Sequence, residues 1–146
     1  MNNKLFCKIL CLSLLLPSVS AAGVVINEIF YHAPDDLDDL QWIELHNPDT
    51  QPVDVSGWRF SSGVEFRFPA NSIIAPGGFL VLCKNAKLFS EFYEAKVDGV
   101  FKKSLGRGGD TVELVDAAGQ QVDRVKFGDR DPWPSEADGV ASSLER

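Results

Sequence analysis

The segment Thr111-Val112-Glu113-Leu114-Val115, Asp116-Ala117-Ala118-Gly119, Gln120-Gln121-Val122-Asp123-Arg124-Val125-Lys126-Phe127 holds two β-prone runs on either side of a short polar and small-residue connection. Such a pattern predicts a hairpin with a four-residue loop. Working upstream, the glycine-rich stretch Ser104 to Asp110 precedes it, and Val97 to Phe101 reads as a further short strand. Between Ala86 and Tyr93 the period changes, with Leu88, Phe89 and Phe92 recurring at three-to-four spacing, which predicts a short helix or turn on the edge of the fold. Phe79 to Cys83 is an apolar strand entered through the turn Pro76-Gly77-Gly78.

Further upstream, Ser72 to Ile74 forms a short strand, and Val64 to Phe68 a half-buried one. In the latter, Val64, Phe66 and Phe68 share one face and Glu65 and Arg67 the other, as a period of two requires. Pro52 to Val55 and Trp58 to Ser61 flank Ser56-Gly57, where glycine allows a backbone conformation that a side chain resists. Gln41 to His46 places Ile43 and Leu45 on one face and Trp42, Glu44 and His46 on the other, and stops at the turn signal Asn47-Pro48. The first run, Val24 to Tyr31, ends in a polar insert from His32 to Asp39. Strands at intervals of about ten residues, each bounded by Gly, Pro, Asn or Asp, define an all-β fold of sandwich or barrel type. Downstream, Pro132-Trp133-Pro134 excludes a central strand in that part of the tail.

Lys4 and Lys8 precede the apolar run Ile9 to Leu16, followed by Pro17 and the small residues Ser18 to Ala22. This is the three-part layout of a secretory signal, cleaved after Ala21 or Ala22. The run is far shorter than the roughly 20 residues of a membrane-spanning helix, and neither Cys7 nor Cys11 has the preceding small residue of lipoprotein processing. The expected organisation is a signal peptide at 1–22 and a single domain at 23–146, secreted, periplasmic or on the cell surface. Only Cys83 then remains, so no internal disulfide forms, and its apolar strand makes the thiol a small packing group.

The 146 residues carry 21 acidic and 14 basic side chains, a net charge of −7, and loss of Lys4 and Lys8 makes the mature chain more acidic still. That balance repels phosphate backbones and argues against generic nucleic-acid binding, although Lys102, Lys103 and Arg107 could form a local basic spot. Gly106-Arg107-Gly108-Gly109 lacks the Gly-Lys-Ser/Thr ending of a phosphate loop and reads as a turn. His32 and His46, with Glu28 and Glu44, would make a metal or acid-base group only if the fold gathered them. Otherwise the glutamates hydrogen-bond locally and the histidines end strands. Asp35-Asp36-Leu37-Asp38-Asp39 offers the oxygen ligands calcium prefers but lacks the glycine and distal glutamate of a helix-loop-helix site, and reads as a solvated loop. Ser56 lacks the leading glycine of a nucleophile elbow. No catalytic, cofactor-binding or metal-binding residue is assigned.

Six fragments occur in one order: Ile26-Asn27-Glu28-Ile29, Trp42-Ile43-Glu44-Leu45-His46-Asn47, Val55-Ser56-Gly57-Trp58, Phe68-Pro69-Ala70, Ile74-Ala75-Pro76-Gly77-Gly78-Phe79 and Gly109-Asp110-Thr111-Val112-Glu113-Leu114. Together they resemble the lamin-tail domain in its bacterial, secreted form. The resemblance runs from Val24 to about Arg146. It implies an immunoglobulin-like β-sandwich acting as a non-catalytic interaction or adhesion module, with no cofactor, binding protein, surface or polymer partners through its loops. Trp42 and Trp58 would be the large anchors between its sheets. The alternative implied is an N-terminal accessory domain of a larger secreted enzyme, such as a CotH-like kinase, nuclease or phosphoesterase.

Overall fold

The computed structural model describes residues 23–34, 37–130 and 143–145. The expected signal peptide at 1–22, Asp35-Asp36 and Pro132-Trp133-Pro134 lie outside the described residues. The strands are β1 (Val25–Phe30), β2 (Trp42–His46), β3 (Val53–Asp54), β4 (Arg59–Ser62), β5 (Ile73–Ile74), β6 (Phe79–Cys83), β7 (Gly99–Val100), β8 (Gly109–Val115), β9 (Gln121–Gly128) and β10 (Leu144–Glu145). A short helix, α1 (Ala86–Phe92), stands between β6 and β7. They build a five-stranded sheet in the order β10-β1-β2-β6-β7, a three-stranded sheet β4-β8-β9 and the small pair β3-β5. Their inner faces meet over one core, so the all-β fold read from strand spacing is a sandwich, of the immunoglobulin-like kind that the resemblance implies.

Parity along β2 decides which side chains enter that core. Ile43 and Leu45 are fully buried between the sheets, beside Leu80 and Leu82 from β6 and opposite Phe60, Val112, Leu114 and Phe127. Each such side chain removed from water contributes about 1.5–3 kcal/mol. Trp58 joins this core as anticipated, but Trp42 does not. With Ile43 and Leu45 facing in, the alternation of a strand sends Trp42 to the outer face. There it stacks on Phe30 with centroids 6.0 Å apart and meets Phe89 and Tyr93 edge-on at 6.3 and 5.7 Å.

This second cluster explains α1. Asn85 caps the helix, its side chain accepting a hydrogen bond from the Leu88 amide at 3.1 Å. Of the three periodic apolar residues, Phe89 is buried against Trp42 and Cys83, whereas Phe92 is 53% exposed. The helix therefore covers the outer face of the larger sheet rather than the sandwich edge. Cys83 is free and buried beneath it, and burial pushes its thiol pKa up against a backbone hydrogen bond from Asn85.

The hairpin forms as anticipated, with β8 and β9 in antiparallel register from Gly109↔Gly128 to Leu114↔Asp123. Asp116 Oδ1 accepts from the Gln120 amide at 2.8 Å, and Gly119 takes a φ of +86° that a side chain would strain. Strand β1 departs from simple alternation. A bulge between Ile26 and Glu28 lets Ile26 and Ile29, three residues apart, both face the core. The run at 97–101 contributes β7, paired parallel to β6 through Leu82↔Gly99 and Cys83↔Val100.

Residues 64–68 keep the predicted alternation, with Val64 and Phe68 buried and Glu65 and Arg67 exposed. They form isolated bridges instead of a regular strand, to Arg59 on one side and Lys102 on the other. The Phe60 amide donates to Phe66 O at 3.1 Å, the Phe68 amide to Trp58 O at 2.9 Å, and Glu65 and Lys102 exchange backbone bonds of 2.8 and 2.9 Å. This segment stitches the β7 end of the larger sheet to β4 of the smaller one. On the opposite side of the sandwich, β1 and β10 face β9, and among the described residues no such ladder joins them. There the Asp123 carboxylate accepts the Ile26 amide at 2.7 Å.

Candidate interaction surface

The two histidines are held apart by the strand pair that carries them. His46 lies opposite Val25 at the start of β1, whereas His32 follows the end of that strand. At about 3.3 Å per residue the separation is roughly 20 Å, so they share no reaction centre. His46 stacks on Phe79, centroids 4.3 Å apart and planes 12° from parallel, which is a strand-end packing contact. His32 contacts the Tyr31 ring at 6.1 Å.

The glutamates are neighbours without being convergent ligands. Glu28 faces Glu44 on one side and Glu145 on the other, so three carboxylates cross β10, β1 and β2 in a row. Asn27, displaced by the bulge, donates from Nδ2 to Glu44 Oε1 at 2.8 Å. The Ser143 hydroxyl donates to Glu28 Oε1. Burial raises the Glu28 pKa above its ordinary 4.5; the Ser143 bond lowers it and the charges of Glu44 and Glu145 raise it. Among the described residues no group of three or more His, Cys, Asp or Glu side chains could hold a metal ion.

Around the acidic insert, Asp38 pairs with Arg107. Asp39 lies 3.3 Å from Lys84. The glycine-rich segment is a turn: the Gly109 amide donates to Gly106 O at 3.2 Å, and Gly109 has a φ of +118°. Arg107 pairs with the acidic insert, which regroups the anticipated basic spot.

Lys102 instead borders a cleft of about 370 Å³ with Arg59, Arg67, Glu65, Phe66 and Val100. The register is specific: Arg59 opposes Arg67, and Glu65 opposes Lys102. Arg67 Nη1 donates to Gly57 O at 3.0 Å. Sequence reading did not single out Arg59 or Arg67, because seven residues that include a turn separate them and the bridge between their segments makes them neighbours. A second cleft, about 260 Å³, lies between β1 and β9 and is lined by Ile26, Ile29, Arg124, Val125, Lys126 and Leu144 among others.

Two buried amides also escaped the sequence reading. Gln41 Nε2 donates to Tyr31 O at 2.8 Å and Leu105 O at 3.2 Å while its Oε1 accepts from the Leu105 amide at 2.8 Å. Asn47, fully buried, donates from Nδ2 to the carbonyls of Gln51, Ile74 and Ala75 at 2.9–3.1 Å and accepts from the Asp49 amide at 3.0 Å. Both satisfy loop backbone that would otherwise be buried without partners. They fix loops.

A two-sheet sandwich that holds its two histidines at opposite ends of β1 defines an immunoglobulin-like domain whose distinctive features are on its surface. The Lamin Tail Domain family model matches residues 17–129, and the chain belongs to that family, a non-catalytic immunoglobulin-like domain family. No curated protein is matched by the chain.

Proposed function

We propose that the chain is an exported, non-catalytic interaction module, a rigid sandwich that engages a partner outside the cytoplasm or on a cell surface. The observation that carries this reading is the separation of His32 from His46 by the length of β1, which denies the chain's two histidines a common centre. Family membership and the three-part leader point the same way. Surface recognition is then what the fold offers, since a packed core tolerates little change while loops and edges are free to vary.

Expression of the full chain in a bacterial host tests the reading. An extracytoplasmic product whose intact mass begins at Ala22 or Gly23, and which binds cell-envelope preparations saturably, supports it. Unprocessed protein retained in the cytoplasm, or retention on envelopes that does not saturate, overturns it.

A further inference from the structure

The cleft beside β4 carries an arrangement that stability does not explain. Arg59 and Arg67 are direct cross-strand partners, and like charges in that position destabilise a sheet. Among the described residues neither has a carboxylate within ion-pairing distance, and Lys102 has none either, although Glu65 stands opposite it in register. Arg67 spends one donor on Gly57 O, leaving most of its guanidinium fork available. Three cations with one carboxylate thus line a single cleft on a chain of net charge −7. Apolar surface is present as well: Val100, 51% exposed, and the partly buried Phe66 line the same cleft.

We propose that this cleft binds a short acidic peptide segment of a partner protein, carboxylates meeting Arg59, Arg67 and Lys102 and an apolar side chain resting on Val100 and Phe66. The proposal deepens the interaction-module reading and rests on it. Guanidinium groups pair with carboxylates in a two-pronged geometry, and a cleft of about 370 Å³ holds a few side chains. A long polyphosphate fits less well. Screening confines the attraction of the three cations to about 8 Å at physiological salt, so a polymer running past the cleft meets the acidic remainder of the surface. Glu65 also interrupts any continuous basic track, whereas a peptide can place an uncharged or donor side chain there.

The test uses the full chain, processed as above, with a fluorescein-labelled octapeptide alternating glutamate and valine as the probe. Fluorescence anisotropy is expected to show saturable binding that weakens as sodium chloride rises and that is lost when glutamine replaces glutamate in the peptide. Arg59→Gln with Lys102→Gln is expected to weaken binding at least about tenfold, the scale of one charge-assisted hydrogen bond. Lys87→Gln, the same kind of charge change on the exposed side of α1, leaves it unchanged. All variants are checked for a melting transition no lower than that of the parent chain, the double variant being relieved of the Arg59–Arg67 repulsion. Peptide binding insensitive to the double variant, or tighter binding of a single-stranded oligodeoxynucleotide than of the peptide at equal salt, overturns the proposal. If the protein binds envelope preparations saturably but not the peptide, the cleft assignment falls and the module reading stands.

Discussion

The two long sides of this sandwich are joined by different means. On one, the chain from Val64 to Phe68 lies between β4 and Lys102 and links the sheets through main-chain hydrogen bonds. On the other, among the described residues, β1 and β10 approach β9 with a side chain in place of a ladder, Asp123 accepting the Ile26 amide. The difference teaches where each side can fail. A side made of backbone bonds depends on the path of the chain and on close packing beneath it. A side closed by a carboxylate takes its polar link from one side chain among the described residues, where its edge strand β10 pairs with β1 through Glu28↔Glu145 and Ile29↔Leu144.

The stitched side is broken most severely at Trp58, whose carbonyl receives the Phe68 amide and whose ring lies in the common core. Trp58→Ala is expected to cost about 3–5 kcal/mol, enough to consume much of a domain's stability; denaturant titration reads it directly. Gly99 tests the packing beneath the same side. A Cβ there would stand 2.5 Å from Phe66 Cζ and 2.9 Å from Leu82 Cδ2, so Gly99→Ala is expected to cost about 1–3 kcal/mol by overpacking. Tryptophan fluorescence and urea melts of this variant should show displacement of Phe66 without loss of the fold.

On the other side, Asp123→Ala leaves the buried Ile26 amide without its acceptor, a loss of about 1–3 kcal/mol. Asp123→Asn retains an acceptor oxygen and should recover part of that loss in the same melts. The smallest expected effect is at Glu28, near the β10 end. Burial, reinforced by Glu44 and Glu145 and opposed by Ser143, makes the folded chain hold the Glu28 proton more tightly than the unfolded chain does. Stability from this source is fully present below the ordinary value of 4.5 and is lost as pH rises through the raised folded-state value. At pH 7 the ionised side chain is therefore a small net cost. Glu28→Gln, which keeps an acceptor for the Ser143 hydroxyl, should raise the melting temperature slightly at pH 7 and give no gain at pH 3.

Much of this architecture is legible in the chain because it is written locally. Ile43 and Leu45 alternate with Glu44 and His46, and Asp116 to Gly119 carries its own turn chemistry, so strands and hairpin follow from short windows of sequence. What joins distant segments is not written that way. The bulge at Asn27, the parallel pairing of Gly99 with Leu82, and the Asp123 carboxylate on Ile26 each depend on a partner far along the chain. The Arg59–Arg67 juxtaposition is hidden for the same reason. Trp42 shows how a local rule can be outweighed by a general one: its size suggested the space between the sheets, but the parity set by Ile43 and Leu45 put it beneath α1. Gln41 and Asn47 read as a strand start and a turn signal, and the backbone groups that required them were visible only once the loops were closed.

Native-state hydrogen exchange compares the two sides most directly, since local opening and global unfolding separate residue by residue. The amides of Phe60, Glu65, Phe68 and Lys102 should exchange only near the free energy of global unfolding, while Ile26 and the β10 amides of Leu144 and Glu145 exchange through lower-energy openings. Equal protection on both sides, or faster exchange at Glu65 and Lys102 than at Ile26, would contradict the account.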